Sequence, residues 1–506
     1  RPRRFRRGDI ACDDLHAVRQ FLHPLHRAGH VLVVAMRGVD DNHVQFGVDQ
    51  CLGPLEALVA DRGRRRDAQA PVRILGGFGI GDRLLDILDR DQADAFAFIV
   101  DDQTVAAGIR LMSAGSIEQA IEAMRGIAAP AQNVTLADRS GIAMKTVGLI
   151  PARDPGHDTE GRMPTKGWLT QNRWQGFQPY ERNPEFRDPP GGILGNTNNK
   201  TVDRPFPDHV SYLWGDTQRV HRWRRLMQSR EVHTRDSFIE AQLDTVSFTA
   251  RSLLPLIGKD LWFTGEAAGE GTPERRRSQA LSMLANWNGE MSEHLPEPLI
   301  YSAWMRALQD RLIRDDIGPL ADKYRHVEPL FIERVFRNIN GASAWCDIKQ
   351  SSAIEGCTDI ARLALDDALI WIGETYGTTL ESLRWGDAHQ ATHDHQVLGE
   401  VPVLKYFTNI RQSTSGGDFT LLRGKTSGKP EAPFLNVHGA GYRGVYDFAD
   451  PDSSVFVIST GQSGHFLSRH YDDLGQLWRR GEYIPMSLDN DLARAASVGI
   501  TRLTLE

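Results

Sequence analysis

The first 103 residues contain no Ser, Thr, Lys, Tyr or Trp, and Glu56 is their only Glu. A globular segment of that length would carry roughly twenty residues of the five missing types. Arg and Asp are abundant instead, and ordinary composition returns from Thr104 onward. A boundary is therefore drawn between residues 1–103 and 104–506. Two readings of the first part stay open: a wrong-strand, out-of-frame or foreign segment, and a genuine Arg-rich domain. The coding DNA decides between them. No run of eighteen apolar residues exists, which excludes a membrane-spanning helix. Cysteines number four, too few for a disulfide scaffold. Positive charge is not in excess: the net charge of -7 gives no nucleic-acid footprint. The chain does not begin with Met. Its basic start runs into Gly8-Asp9-Ile10-Ala11-Cys12-Asp13-Asp14, so no signal peptide is read.

What is present suits a packed protein of two to four domains, or one large one: 25% charged and 40% hydrophobic residues over 506 positions. Residues 116–127 place Ile117, Ala120, Ile121 and Met124 at helical spacing. Residues 132–138 and 142–150 flank Arg139-Ser140-Gly141 and predict a β-hairpin. Residues 151–192 read as a long loop and 193–199 as a third strand. From 208 to about 400 the pattern is mainly helical, with Phe238, Ile239, Leu243, Val246, Leu253 and Leu254 in one helical period. Thr272-Pro273-Glu274 is a helix start. Residues 361–372 mark another helix. From 401 strands return, with a turn at Asp450-Pro451-Asp452. No internal repeat or low-complexity tract occurs.

Several constellations bear on chemistry. Gly191-Gly192-Ile193-Leu194-Gly195-Asn196-Thr197-Asn198-Asn199-Lys200 ends in an Asn cluster. An Asn amide held at a strand end is a neutral, orientable hydrogen-bond donor; it is equally a turn residue serving the backbone. Trp214-Gly215-Asp216-Thr217-Gln218-Arg219 follows, and Arg219 reads as either a site residue or a solvated helix Arg. Gly461-Gln462-Ser463-Gly464-His465 has the outline of a nucleophile elbow with His470 as base, but the elbow needs Gly where His465 stands. Asp387, His389, His393 and His395 could hold a transition metal or form a solvated loop. The glycine-rich turn at 76–81 lacks dinucleotide spacing. Cys346 and Cys357 are close enough in sequence for a short-loop disulfide, or are two reduced thiols.

With Asn436-Val437-His438-Gly439-Ala440-Gly441-Tyr442-Arg443 and His470-Tyr471-Asp472-Asp473, the Asn cluster resembles the β-subunit of the penicillin acylases, a branch of the N-terminal-nucleophile hydrolases. The resemblance runs from about 104 to 490 and is densest at the C-terminal block. It implies an α/β fold with four-layered αββα sheets, incomplete here, a helical insertion and a C-terminal β region. The parts would be 104–207 (sheet), 208–400 (mainly helical) and 401–506 (mainly β). It implies hydrolysis of a linear amide, such as a β-lactam side chain or an N-acyl homoserine lactone, together with a family α-subunit and export to the periplasm. Asn198 matches the oxyanion donor and Arg219 the Arg beside it. Asp208 and Thr159 match ligands of a structural calcium. The family's β-subunit begins with a catalytic Ser, usually Ser-Asn. Here the first Ser is Ser113, followed by Ala114. The nucleophile is therefore unknown, and the chain as written is expected to be inert toward amides. A non-catalytic homologue or fragment, and a serine hydrolase using Ser463, are the alternatives.

Overall fold

The computed structural model describes residues 102–215, 217–262 and 268–504. The glycine-rich turn at 76–81, with Cys12 and Cys51, lies outside them. The described residues divide into two compact units: 102–196 with 200–214, and 197–199 with 215–504.

In the first unit, α1 (Thr104–Leu111) leads to α2 (Ile117–Ala123). The Ser116 side chain caps α2 by accepting from the Gln119 amide. Strands β1 (Gln132–Ala137) and β2 (Ile142–Val147) form the predicted antiparallel hairpin, in register from Gln132–Val147 to Ala137–Ile142. Asp138 Oδ1 closes the turn by accepting from the Ser140 and Gly141 amides. Ile117, Ile121, Met124, Ala143 and Val147 make the core between helix and sheet. Lys145 shares that buried face of β2. Its charge is offset by Glu185 at 3.1 Å, the Asn183 carbonyl at 3.1 Å and the Tyr180 ring at 4.7 Å.

Two expectations are corrected here. Residues 151–192 are not all loop: β3 (Pro151–Arg153) pairs with β4 (Trp174–Phe177), and β5 (Glu185–Arg187) adds to β2. Residues 193–199 form no strand. Polar side chains there bond their own backbone, which competes with a ladder. The Asn199 Oδ1 accepts from the Thr197 amide at 3.0 Å, and Asn198 sits at φ 67°.

The second unit is mainly helical and then β. It contains α3 (Gln218–Gln228), α4 (Arg235–Gln242), α5 (Phe248–Ile257), α6 (Pro273–Asn286), α7 (Glu297–Ile317), α8 (Pro329–Phe336) and α9 (Cys357–Thr375). The single apolar period read over 238–254 is split between α4 and α5, because Ser247 caps a new helix by accepting from Ala250. Thr272 caps α6 and Pro273 opens it, as the sequence indicates. α7 carries a buried apolar face: Leu299, Ile300, Trp304, Leu308 and Leu312 are 0% exposed. The indole of Trp304 donates to the Ala361 carbonyl of α9 at 2.9 Å, so a buried donor is satisfied within the helix pair. Cys346 and Cys357 are disulfide-bonded, with Cα atoms 5.0 Å apart, at the start of α9.

Beyond α9 lie α10 (Trp385–Ala388) and the strands β6 (Gln390–His393), β7 (Ile410–Ser413), β8 (Gly424–Thr426) and β9 (Asn436–Gly439), in sheet order β7-β6-β9-β8. A last sheet joins β10 (Tyr442–Val445), β11 (Val455–Ile458) and β12 (Ile484–Pro485). Small sheets with a large helical region make the fold mixed α/β.

Candidate active site

The Asn cluster is built locally. Asn199 holds Thr197 through its amide and hydroxyl. Asn198 occupies the left-handed region that Asn tolerates better than most residues. Its carbonyl accepts from the Gly215 amide at 2.8 Å. A Cβ on Gly215 would lie 2.9 Å from that carbonyl oxygen, so the close approach requires glycine.

Four residues on, in the first turn of α3, Arg219 is 8% exposed. Its Nη2 donates to Asn198 Oδ1 at 3.0 Å. A guanidinium has donors only, so the atom facing it is the amide oxygen, and the Asn198 amide nitrogen is turned the other way. Asn198 itself is exposed. A buried Arg in a helix's first turn opposes the helix dipole, and the solvated-helix reading of Arg219 does not hold. One turn on, Arg222 is bonded to Asp244 at 2.9 Å, which anchors α3. The structure thus brings Asn198 and Arg219 together within one unit. Gly215 and Asn199 are parts of this arrangement that composition and spacing did not single out; their signal was adjacency to the motif.

The remaining candidates separate. Asp208 pairs with Arg182 at 2.9 Å, and the Thr159 hydroxyl donates to the Met163 carbonyl. Calcium needs six to eight oxygens, mostly anionic. Among the described residues no three His, Cys, Asp or Glu side chains converge. The histidines point to different partners. His389 is fully buried, stacked on Trp385 at 4.6 Å and bonded to the Phe434 carbonyl at 2.8 Å. His393 meets Trp478 edge-on. His395 Nδ1 accepts from the Val397 and Leu398 amides. The Ser463 hydroxyl accepts from the His465 amide, while the His470 ring is held by Asp473 at 2.7 Å and Arg469 at 3.0 Å. His470 does not serve Ser463 as a base.

The C-terminal block is architectural. Arg443 is buried under Trp478, whose carbonyl it bonds and whose ring lies 5.1 Å from its guanidinium. Asn436 Nδ2 donates to the Thr414 hydroxyl. These bonds tie β9 and β10 to the segments around them.

A family model described as penicillin amidase matches residues 87–495. The chain belongs to the penicillin amidase family. Among relatives of this family member, the acyl-homoserine lactone acylase QuiP of Pseudomonas aeruginosa is 24% identical over 467 residues, covering 86% of this chain and 52% of that protein. The penicillin acylase 2 proenzyme of a Pseudomonas species (strain SE83) is 28% identical over 399 residues, covering 77% and 48%. The chain spans about half the length of the curated relatives it matches. A solved structure, the thermostable penicillin G acylase from Alcaligenes faecalis in orthorhombic form, aligns with a TM-score of 0.54 at 17% identity, over 80% of this chain and 73% of that one. The family member shares that fold. Among its described residues no helix is long and apolar enough to cross a membrane.

Proposed function

We propose that this chain is the C-terminal part of the β-subunit of a penicillin-acylase-type hydrolase of linear amides. The substrate would be a β-lactam side-chain amide or an N-acyl homoserine lactone. The observation that carries the reading is the Arg219–Asn198 bond, which fixes the amide's orientation. Asn198 Nδ2 donates to the oxyanion that forms when a Ser hydroxyl attacks the substrate carbonyl. The Ser's own α-amine takes the hydroxyl proton, its pKa lying near 7.7–8.0 in the unperturbed state, about where it needs to be. Arg219 positions Asn198 and does not touch the reacting atoms. The described residues supply the oxyanion side of this machinery and no recognised nucleophile. A family α-subunit completes the acyl pocket, and the fold is of the αββα type. The disulfide at Cys346–Cys357 suits an exported, oxidising compartment.

The test is a chimaera. Residues 104–506 are joined to the nucleophile-bearing segment of a penicillin acylase relative and co-expressed with its α-subunit. Asn198→Ala should lower turnover of a chromogenic acyl amide roughly a hundredfold or more. Unchanged turnover refutes the assignment, and a folded chimaera without any turnover supports a non-catalytic homologue.

A further inference from the structure

The helix pair α7 and α9 encloses a second feature, a cavity of about 580 Å³ floored by Trp371 and Phe434. That volume is in the usual range for a small-molecule site. Charged side chains line it, and most are already spent on one another. Arg311 of α7 bonds Asp367 of α9 at 3.0 Å, and Arg314 bonds both Asp310 and Asp322. Asp418, in a smaller recess behind, accepts from the Thr426 amide and hydroxyl.

Arg306 is the exception. It lines both the cavity and the recess and is partly buried. Among the described residues it makes no hydrogen bond or ion pair. Asp310, one helical turn away, is turned toward Arg314. A partly buried guanidinium without a partner is costly, and burial lowers its pKa, with Asp310 countering in part. Arg325 and Trp371, which also line this space, carry further donors. Arg325 uses only its Nε, on the Asp322 carbonyl, at 3.1 Å. The Trp371 indole N–H has no hydrogen-bond partner among the described residues, although its ring is fixed edge-on to Phe434 at 5.6 Å. What lines the cavity is therefore a set of donors that its carboxylates, already engaged with Arg311 and Arg314, match only in part, beside the Trp371 and Phe434 rings.

We propose that this cavity binds a small organic anion, a carboxylate or phosphate ester carried on a flat apolar body. The anionic oxygens take the forked donors of Arg306, joined by Arg325 and the Trp371 N–H, and the body packs on Trp371 and Phe434. This site lies apart from the Asn198 chemistry and does not depend on it.

The experiment is calorimetric titration of the full 506-residue chain with benzoate, phenyl phosphate and benzamide. At least one anion should bind saturably, and neutral benzamide should not. Tighter binding of phenyl phosphate assigns the phosphate ester; tighter binding of benzoate assigns the carboxylate. Arg306→Met, which keeps the stem and removes the charge, should weaken the anion roughly tenfold to a hundredfold, the worth of a hydrogen bond to a charged group. Trp371→Phe and Arg325→Gln should each weaken it several-fold, and they carry the test if Arg306→Met fails to fold. Asn198→Ala should leave binding unchanged. Equal binding of benzamide, indifference to all three cavity substitutions, loss of binding through Asn198→Ala, or no saturable binding of either anion up to tens of millimolar overturns the proposal.

Discussion

Arg219→Met in the chimaera separates a positioning residue from a catalytic one. The guanidinium donates a charged hydrogen bond to a neutral amide at 3.0 Å, an interaction worth about 1.5–3 kcal/mol. Without it the Asn198 amide loses the bond that fixes its oxygen, and half a turn would present oxygen instead of nitrogen to the substrate. If Arg219 acts only through Asn198, kcat should fall by roughly tenfold to several hundredfold, bounded by the loss from Asn198→Ala, with KM little changed. Arg219→Lys keeps the charge but not the fork, and should recover part of the loss. The double variant decides. Asn198→Ala with Arg219→Met should sit within about threefold of Asn198→Ala alone, since residues acting as one unit are not additive. Stability should fall by no more than that bond is worth, because removing a buried charge from the first turn of α3 relieves its opposition to the helix dipole. Multiplicative losses in the double variant would show that Arg219 acts on the reaction independently and would refute this reasoning.

Three further outcomes follow from the structure. His389 donates through Nδ1 to the Phe434 carbonyl, and burial pushes its pKa down from 6.5 to about 4. The unfolded chain takes up its proton as pH falls through about 6.5 and the folded chain only near 4. About 3 kcal/mol of stability should therefore be present above 6.5 and lost between 6.5 and 4; urea midpoints across that window should show it, and His389→Gln should flatten the slope. Replacing Cys346 and Cys357 by Ser should cost about 2–3 kcal/mol, since an 11-residue separation closes only a short loop. Non-reducing peptide mapping that finds both thiols free in exported protein would refute the pairing. Gly215→Ala forces a Cβ against the Asn198 carbonyl. It should lower chimaera turnover at least as far as a misplaced oxyanion donor does, and a crystal structure with Asn198 unmoved would count against the close-approach argument.

Local patterns in this sequence were legible where one face is apolar and the next residue is not. The hairpin at 132–147 and the capped start of α6 follow directly from alternation and from Thr272-Pro273. The segment 193–199 misled because its apolar start resembles a strand, while its Asn and Thr side chains satisfy the backbone themselves. The burial of Arg219 was hidden for a different reason. Arg219-Val220-His221-Arg222 has the composition of a solvated face, and its partner Asn198 lies 21 residues away. Sequence spacing also grouped His389, His393 and His395, which packing then distributes over Trp385, Trp478 and a turn. The donors of the α7–α9 cavity were invisible beforehand, because Arg306 is distinguished from Arg311 and Arg314 only by which carboxylate each reaches.

Thr197, Asn198 and Asn199 leave the first unit for three residues, join the second, and give the chain back at Lys200. This threading has a consequence for anyone dividing the protein. A cut at 215 yields a segment with its helices and late strands intact, yet strips Arg219 of the residue it orients; a cut before 197 carries along fifteen residues, 200–214, that belong to the unit left behind. The Asn198–Arg219 pair is thus not a portable cassette. Circular permutation or recombination in this protein has to treat the stretch from 197 to 219 as one indivisible joint.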